Sequence, residues 1–466
     1  MARDCGSLRR LWILIKSLTI LTIRSADTIS STEHHDVVVI GGGVAGLGVA
    51  SLLAGWRPRL VGPVPDSLSH PSLAPFVEAA RDDLMGMDMS GVAKIPVSPY
   101  DTFRLLHHPQ RDYKGLDAYP MRWEKRPPLD WALFTDGPPG GLWNDVPRNQ
   151  LTLSPAHWME LSAYPIAQFY EDVGLSRDPN DLVIKQDLVA YYHALPEKLD
   201  LTSGIREGWT ITELTSHDAD GGPGFELNAT RNSDNESRTI TANFVIYAVG
   251  PRTLKRRLDV LGEFNQPYVS RHYDHWDDFP GKRVMVVGGG RSADWAATEL
   301  NDNGRDVIYV MRQPEERHLR LIENSQYLPY YVRLMSILGG EVPTIDTHYE
   351  TQVTSFGDDG LVSINSSAGK KTVEVDHVVL EIGAQPNFRL LEPWGELSLF
   401  EGRDAYRLQV PQLKVHPHNF ESIDIPGLYP AGYLAENLGI SVLGMHATCF
   451  PIVADIERKI AARTGA

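Results

Sequence analysis

Cysteine is nearly missing from this chain. Its 466 residues hold two, Cys5 and Cys449, with no CxxC pair. Neither a disulfide scaffold nor a cysteine-ligated zinc site can be built from them. A dithiol/disulfide redox centre has no second neighbouring thiol to work with. Basic charge is short as well: 44 Lys and Arg stand against 60 Asp and Glu, for a net charge of −16. Nucleic acid is therefore not an expected partner, since tracking a phosphate backbone needs a basic face. A local basic pocket for one phosphate remains compatible with that balance. Long apolar runs are absent too. The strongest, Leu11 to Ile23, is broken by Lys16 and is too short to cross a bilayer comfortably. No GxSxG, no HExxH and no catalytic triad can be read from the sequence. What is present is an ordinary globular composition, 42% hydrophobic and 22% charged, at a length suited to about two or three domains of roughly 150 residues.

The N-terminal run follows Arg9 and Arg10, and the stretch from Gly6 to Ala26 has four basic residues and no acid. That suits a mitochondrial presequence. Lys16 and the weak cleavage context Arg24-Ser25-Ala26 count against a secretory signal. Residues 1–35 are read as a leader or targeting segment, with a disordered leader as the alternative. Cytoplasmic or mitochondrial placement is expected ahead of the secretory route, and weak membrane association through this segment stays open.

Two glycine-rich turns organise the rest. Val37-Val38-Val39-Ile40 is a β-branched apolar run that predicts a buried parallel strand. It leads into Gly41-Gly42-Gly43-Val44-Ala45-Gly46 and a helix to about Leu53. Gly41 permits the tight turn, Gly43 lets a pyrophosphate approach the backbone, and Gly46 lets the helix pack close to the strand. The helix N-terminus supplies free N–H groups for the phosphates. Arg59-Leu60-Val61 is the expected second strand. It lacks the terminal carboxylate that binds a ribose, since Asp66 comes late after two prolines.

The second turn repeats the pattern. Val284 to Val287 predicts a strand, followed by Gly288-Gly289-Gly290-Arg291-Ser292-Ala293 and a helix to about Asn301. Gly288, Gly290, Ser292 and Ala293 form its nucleotide-binding fingerprint. The next strand, Val307 to Val310, ends in Met311-Arg312 without a carboxylate. An arginine there can pair with the 2′-phosphate of NADP, so NADPH is favoured over NADH. Two fingerprints imply two dinucleotides with hydride transfer between them, FAD at the first and NADPH at the second. The fold class is α/β, with two Rossmann-like domains and the NADPH domain inserted in a discontinuous FAD domain. The expected boundaries are 36–265 and 384–466 for FAD and 280–383 for NADPH. Segments ending at Gly250 and at Gly383 resemble the crossover turns of such a plan. Ile425 to Gly432 resembles its last strand, although Tyr433 stands where many relatives carry an aspartate beside the flavin. The polar segment from Ser216 to Ser237 is expected to be an exposed hairpin connection.

Further motifs carry a resemblance. Gly140-Gly141-Leu142-Trp143 looks like the GGxW segment of flavin-dependent monooxygenases, which lies close to the FAD. His272-Tyr273-Asp274-His275-Trp276-Asp277 keeps the HxxxWD half of the Baeyer–Villiger monooxygenase fingerprint, without its FxG half. With His70-Pro71-Ser72-Leu73, Leu151 to Leu161, Asp187 to Tyr192 and Tyr327 to Tyr331, the chain resembles the oxidative stress-induced growth inhibitor family over roughly residues 36 to 445. That family is a divergent branch of the class B flavin monooxygenase-like proteins. The resemblance implies an NADPH-dependent oxidoreductase that uses reduced flavin and O₂ on a small-molecule substrate. Gly41, Gly43, Gly46, Gly140, Gly141, Trp143, Gly250 and Gly432 would hold FAD. Gly288, Gly290, Ser292, Ala293 and Arg312 would hold NADPH. His272 and Trp276 are the candidates for coupling the two. A plain NADPH-dependent flavin reductase or oxidase, and a non-catalytic regulatory protein of the same fold, are the alternatives. No metal is expected: the histidine pairs His34-His35, His107-His108 and His416/His418 are read as solvated loops.

Overall fold

The computed structural model describes residues 32–68, 70–97, 99–219, 222–251, 253–323, 329–338, 345–403, 409–435 and 442–464. The leader expected at 1–35 falls almost wholly outside these residues, as do Tyr327 and Leu328 of the tyrosine-rich stretch.

Strand β1 (Glu33–Ile40) turns at Gly41 into helix α1 (Val44–Leu53), every residue of which is buried. The β-branched run from Val37 to Ile40 is covered on both faces, as a central parallel strand requires. The neighbours of β1 differ from the sequence expectation. Trp56–Leu60 is a strand, but it pairs antiparallel with Met121–Lys125, outside the sheet that holds β1. Pro58 within it lacks an N–H and suits a two-stranded ribbon better than a central position. The place beside β1 is taken by β2 (Trp131–Thr135), parallel to it with Val37 opposite Trp131. On the other side lies β3 (Ser237–Tyr247), also parallel, with Val37 opposite Phe244.

β3 is shared between two kinds of pairing. Its first half runs antiparallel to Gly222–Arg231, which in turn pairs with Trp209–Ala219. Its last three residues pair in parallel with Leu428–Pro430. The polar segment expected as a loop therefore contains a strand. Phe225, Leu227 and Ala229 are buried at alternate positions, a period-2 pattern hidden among Asn, Thr and Glu.

A second sheet is parallel throughout. Its order is Val269–Ser270, β6 (His377–Leu380), β4 (Arg283–Val287), β5 (Asp306–Val310) and Ile345–His348. Helix α2 (Arg291–Asp302) follows β4 and buries Ala293, Ala296, Ala297 and Leu300 against it. A three-stranded antiparallel sheet, Gln352 to Glu374, covers the other face through Val353, Phe356 and Val362. The chain enters this unit from β3 and returns from β6 to Leu428–Pro430 in the first sheet, so the second dinucleotide fold is inserted in the first. The closing helix α3 (Cys449–Thr464) lies on the first fold, where the Cys449 thiol donates to the Ala45 carbonyl at 3.4 Å and Phe450 stacks on Phe103 at 4.4 Å.

Candidate functional site

The turn after β1 is built from backbone that no side chain could share. Gly41 sits at φ +113°, and a Cβ there would stand 2.5 Å from the Ala248 carbonyl oxygen at the end of β3. A Cβ on Gly46 would run into the Gly41 carbonyl oxygen. Gly43 is the extended residue at the N-cap of α1 and has no side-chain cap, which leaves the first N–H groups of the helix for an anion.

Gly140 and Gly141 come directly to this turn. Gly140 N–H donates to the Gly42 carbonyl at 2.9 Å. Gly141, at φ +54°, faces Gly43 so closely that a Cβ would lie 2.8 Å from the Gly43 Cα. The Asn144 amide ties the loop by donating to the carbonyls of Pro138, Pro139 and Gly141. Trp143 packs half-buried on the core cluster beneath α1. Gly432, at φ +68°, brings the last strand onto α1, a Cβ there standing 2.8 Å from the Ala45 Cβ. Gly250 is at φ +79° with open space around it. Tyr433 is buried, and its carbonyl accepts from Gln412 at 2.8 Å. A cradle shaped by glycine on every side fits a pyrophosphate and the flavin attached to it.

Because β2 is the neighbour of β1, the residues that end the adjoining strand are Thr135 and Asp136. Thr135 is buried against Gly42 and donates to the Gly137 carbonyl at 2.9 Å. Asp136, the first residue beyond β2, is exposed. Asp66 lies outside this sheet.

The second turn has the same construction. A Cβ on Gly288, at φ +149°, would collide with the Glu381 carbonyl oxygen and approach the Ala293 Cβ at 2.9 Å. Gly290 is the uncapped, extended N-cap of α2 with open space beside it, next to half-buried Ser292. Arg312 is exposed just past β5. The side chain of Gln313, which the sequence did not single out, donates to the Gly289 carbonyl at 2.7 Å and holds the loop.

His272 and Trp276 sit in different surroundings. His272 is largely exposed, and burial, then Lys255, lower its pKa, with Asp145 and Asp274 acting in the other direction. It thus stands near the Gly140–Asp145 loop. Trp276 packs on the core of the second unit with the Arg305 guanidinium 5.4 Å from its ring centroid. The residues between them do the joining. Asp274 accepts from Arg148 at 2.7 Å, and its carbonyl accepts from the Arg148 N–H at 3.0 Å. Glu299 on α2 accepts from Tyr273 at 2.6 Å and from Asn149 at 2.8 Å. The loop that touches the first fingerprint is thereby fastened to the helix that carries the second.

The histidine pairs are not solvated loops as expected, apart from exposed His416 and half-buried His418. His34 and His35 are part of β1, and His35 is held between Asp130 and Glu33. His107 and His108 are buried at 2% and 5% exposure beside Glu160 at 0%. Burial pushes the Glu160 carboxyl up to about 8 and lowers both imidazoles well below their usual value.

Comparison with known proteins agrees with this architecture. A family model described as pyridine nucleotide-disulphide oxidoreductase matches residues 147–432, more than half of the chain. The human protein named oxidative stress-induced growth inhibitor 2 is 23% identical over 461 residues, covering 87% of this chain and 90% of its own. Among solved structures, bacillithiol disulfide reductase from Staphylococcus aureus superposes with a TM-score of 0.61 at 15% identity, over 92% of this chain and 99% of its own. Ornithine N-hydroxylase from Kutzneria sp. 744 does so at 0.58 and 16%, over 92% and 100%.

Proposed function

Since the chain belongs to the pyridine nucleotide-disulphide oxidoreductase family, we propose that it is an NADPH-consuming flavin monooxygenase acting with O₂ on a small molecule. FAD and NAD(P)H are its cofactors. The chemistry supplied by bound FAD is hydride acceptance from the nicotinamide and electron delivery to O₂. The chain's own residues bind and orient. Gly41, Gly43, Gly46, Gly140, Gly141, Trp143, Gly250 and Gly432 hold the flavin dinucleotide in the 36–265 and 384–466 domain, and Asp136, at the end of the strand beside β1, is the candidate ribose ligand. Gly288, Gly290, Ser292 and Ala293 hold the nicotinamide dinucleotide in the 280–383 domain, and Arg312 takes its 2′-phosphate.

The observation that carries this reading is the junction of the two sites through Arg148–Asp274 and Asn149–Glu299–Tyr273. It keeps two open helix N-termini in one frame. The family's disulphide chemistry has no counterpart here: Cys449 is buried, and no second cysteine occurs between residues 6 and 466. The flavin therefore has no cysteine pair of this chain to reduce, which supports O₂ or a small molecule as the acceptor.

The exposure of His272, with Trp276 packed on the core of the second unit, favours a second reading, an NADPH-dependent flavin reductase or oxidase that releases peroxide. Anaerobic NADPH addition to the FAD-loaded protein, followed by aeration with and without candidate amines, thioethers and ketones, tests both. Bleaching of the flavin with product formed in proportion to NADPH supports the monooxygenase. Stoichiometric peroxide with every substrate leaves the oxidase. An unbleached flavin overturns both.

A further inference from the structure

Glu160 lies immediately after a 3-10 turn, Ala156–Met159, and its two oxygens are treated differently. Oε2 accepts from the Ile166 backbone N–H at 2.8 Å, which fixes the plane of the carboxyl. Oε1 is buried, makes no hydrogen bond, and stands 3.4 Å from His107 Nε2 and 3.4 Å from His108 Nε2. Both imidazole nitrogens are themselves buried without a hydrogen bond. The His157 backbone carbonyl lies within hydrogen-bonding reach of the His108 ring. Since Nε2 is unpaired, that contact uses Nδ1. A histidine that donates Nδ1–H to a carbonyl presents a bare Nε2 lone pair, the arrangement that orients metal-bound imidazoles. The Tyr119 hydroxyl is buried and faces the same carboxyl, within donating reach of it.

We propose that His107, His108 and Glu160 form a zinc site, closed to solvent, that ties the Pro99–His107 helix to the segment at Glu160. Their three ligand atoms lie within 4.8 Å of one another. Zinc bonds of about 2.0–2.1 Å at tetrahedral angles put neighbouring ligand atoms about 3.3 Å apart, which is the spacing of both Glu160 contacts. Without a cation the two 3.4 Å contacts to Oε1 form no hydrogen bond, and three potential ligand atoms face one another in a buried pocket. A divalent ion takes all three lone pairs at once, with the carboxyl proton released on binding. Two nitrogens and one oxygen suit zinc, and the buried Tyr119 hydroxyl would complete four-coordination. Neighbouring His157 is not a ligand, because its ring nitrogens face the carbonyls of Pro179 and Arg111. His446 Nε2 is engaged by Ser162, and its unpaired Nδ1 lies against Gly48 on α1. The site is independent of the flavin chemistry proposed above.

The test uses the full chain, isolated without chelator, for metal analysis by inductively coupled plasma mass spectrometry. It is then unfolded with chelator and refolded with zinc or with cobalt(II), with near-ultraviolet circular dichroism as the control for folding. The expected result is about one zinc per chain and, on cobalt, the visible d–d absorption of four-coordinate nitrogen and oxygen ligation. Glu160→Gln, close to the parent in shape, should hold roughly tenfold less zinc or lower at the same free-zinc concentration. Only trace zinc in the wild-type chain, whether as isolated or refolded with zinc, overturns the site, as does undiminished zinc in a folded Glu160→Gln protein. The cobalt spectrum needs no substitution. If the variant does not fold, that spectrum decides, and wild-type protein lacking the four-coordinate band sinks the proposal.

Discussion

Gly43 and Gly141 meet backbone to backbone, with a Cβ on Gly141 reaching to 2.8 Å from the Gly43 Cα. The loop carrying Trp143 therefore abuts the first glycine turn, and on the proposed function it walls the flavin site. Gly141→Ala adds that methyl and also forces a non-glycine residue to φ +54°, a cost of about 1–3 kcal/mol. The expected outcome is protein with a lowered melting temperature and much less bound FAD per chain, read from the visible spectrum after desalting. Full flavin occupancy in this variant would show that the two loops do not share the site.

Arg312 decides between nicotinamide cofactors if it meets the 2′-phosphate. A charge-assisted pair is worth about 1.5–3 kcal/mol. Arg312→Ala should then raise the NADPH concentration for half-maximal flavin reduction about 10- to 100-fold and leave that for NADH alone. Equal weakening of both would place the 2′-phosphate elsewhere.

The Arg148–Asp274 pair is partly exposed, so Asp274→Asn is expected to cost the fold only about 0–1 kcal/mol. Its effect should appear instead in stopped-flow flavin reduction, slowed several-fold with both cofactors bound normally. Combining it with Glu299→Gln should slow the reaction further. An unchanged rate in the double variant would mean that this junction does not align the two sites.

Asp455 on α3 is nearly buried and accepts from Tyr429 at 2.7 Å and Asn419 at 2.9 Å, with Lys459 at 3.0 Å. Burial raises its pKa, but Tyr429, Lys459 and Arg458 outweigh it and carry the net shift below the usual 3.8. A carboxylate lowered by folding stabilises the native state above its unfolded pKa, and that stability is lost as pH falls through the folded value. Asp455→Asn should therefore unfold at lower urea concentration than the parent by about 1–3 kcal/mol at pH 7. The gap should narrow below pH 3.8. A gap that stays constant into acid would assign the effect to packing rather than charge.

Both glycine turns could be read from the chain because strand, glycine turn and helix follow one another in one short segment and α1 ends where its apolar run does, although the carbonyls that exclude a Cβ at Gly41 and Gly288 belong to the distant Ala248 and Glu381. The neighbour of β1 could not be read, because Trp131 reaches Val37 only after the intervening ribbon and helices are in place. The same holds for His107 and His108. Adjacent histidines in a polar stretch suggest solvent until Glu160, far along the chain, is brought against them. Arg148 and Asp274 carry no motif of their own; what matters is that the chain returns each to the other. Gly222–Arg231 was obscured for a different reason, since polar outward residues outnumber the three apolar ones that define its inner face.

The place of β2 bears on how the molecule comes into being. Its partner β1 leaves the ribosome first and must wait for residue 131 before its first parallel contact, for residue 244 to be flanked on both sides, and for residue 428 before the sheet is complete. Contacts so distant in the chain close slowly, because the intervening loop entropy is lost before the pairing repays it. The inserted unit, whose strands all lie between residues 269 and 380, can assemble meanwhile. Synthesis thus presents a folded nicotinamide half alongside an unclosed flavin half, with the apolar faces of β1 and α1 exposed until the last tenth of the polypeptide emerges.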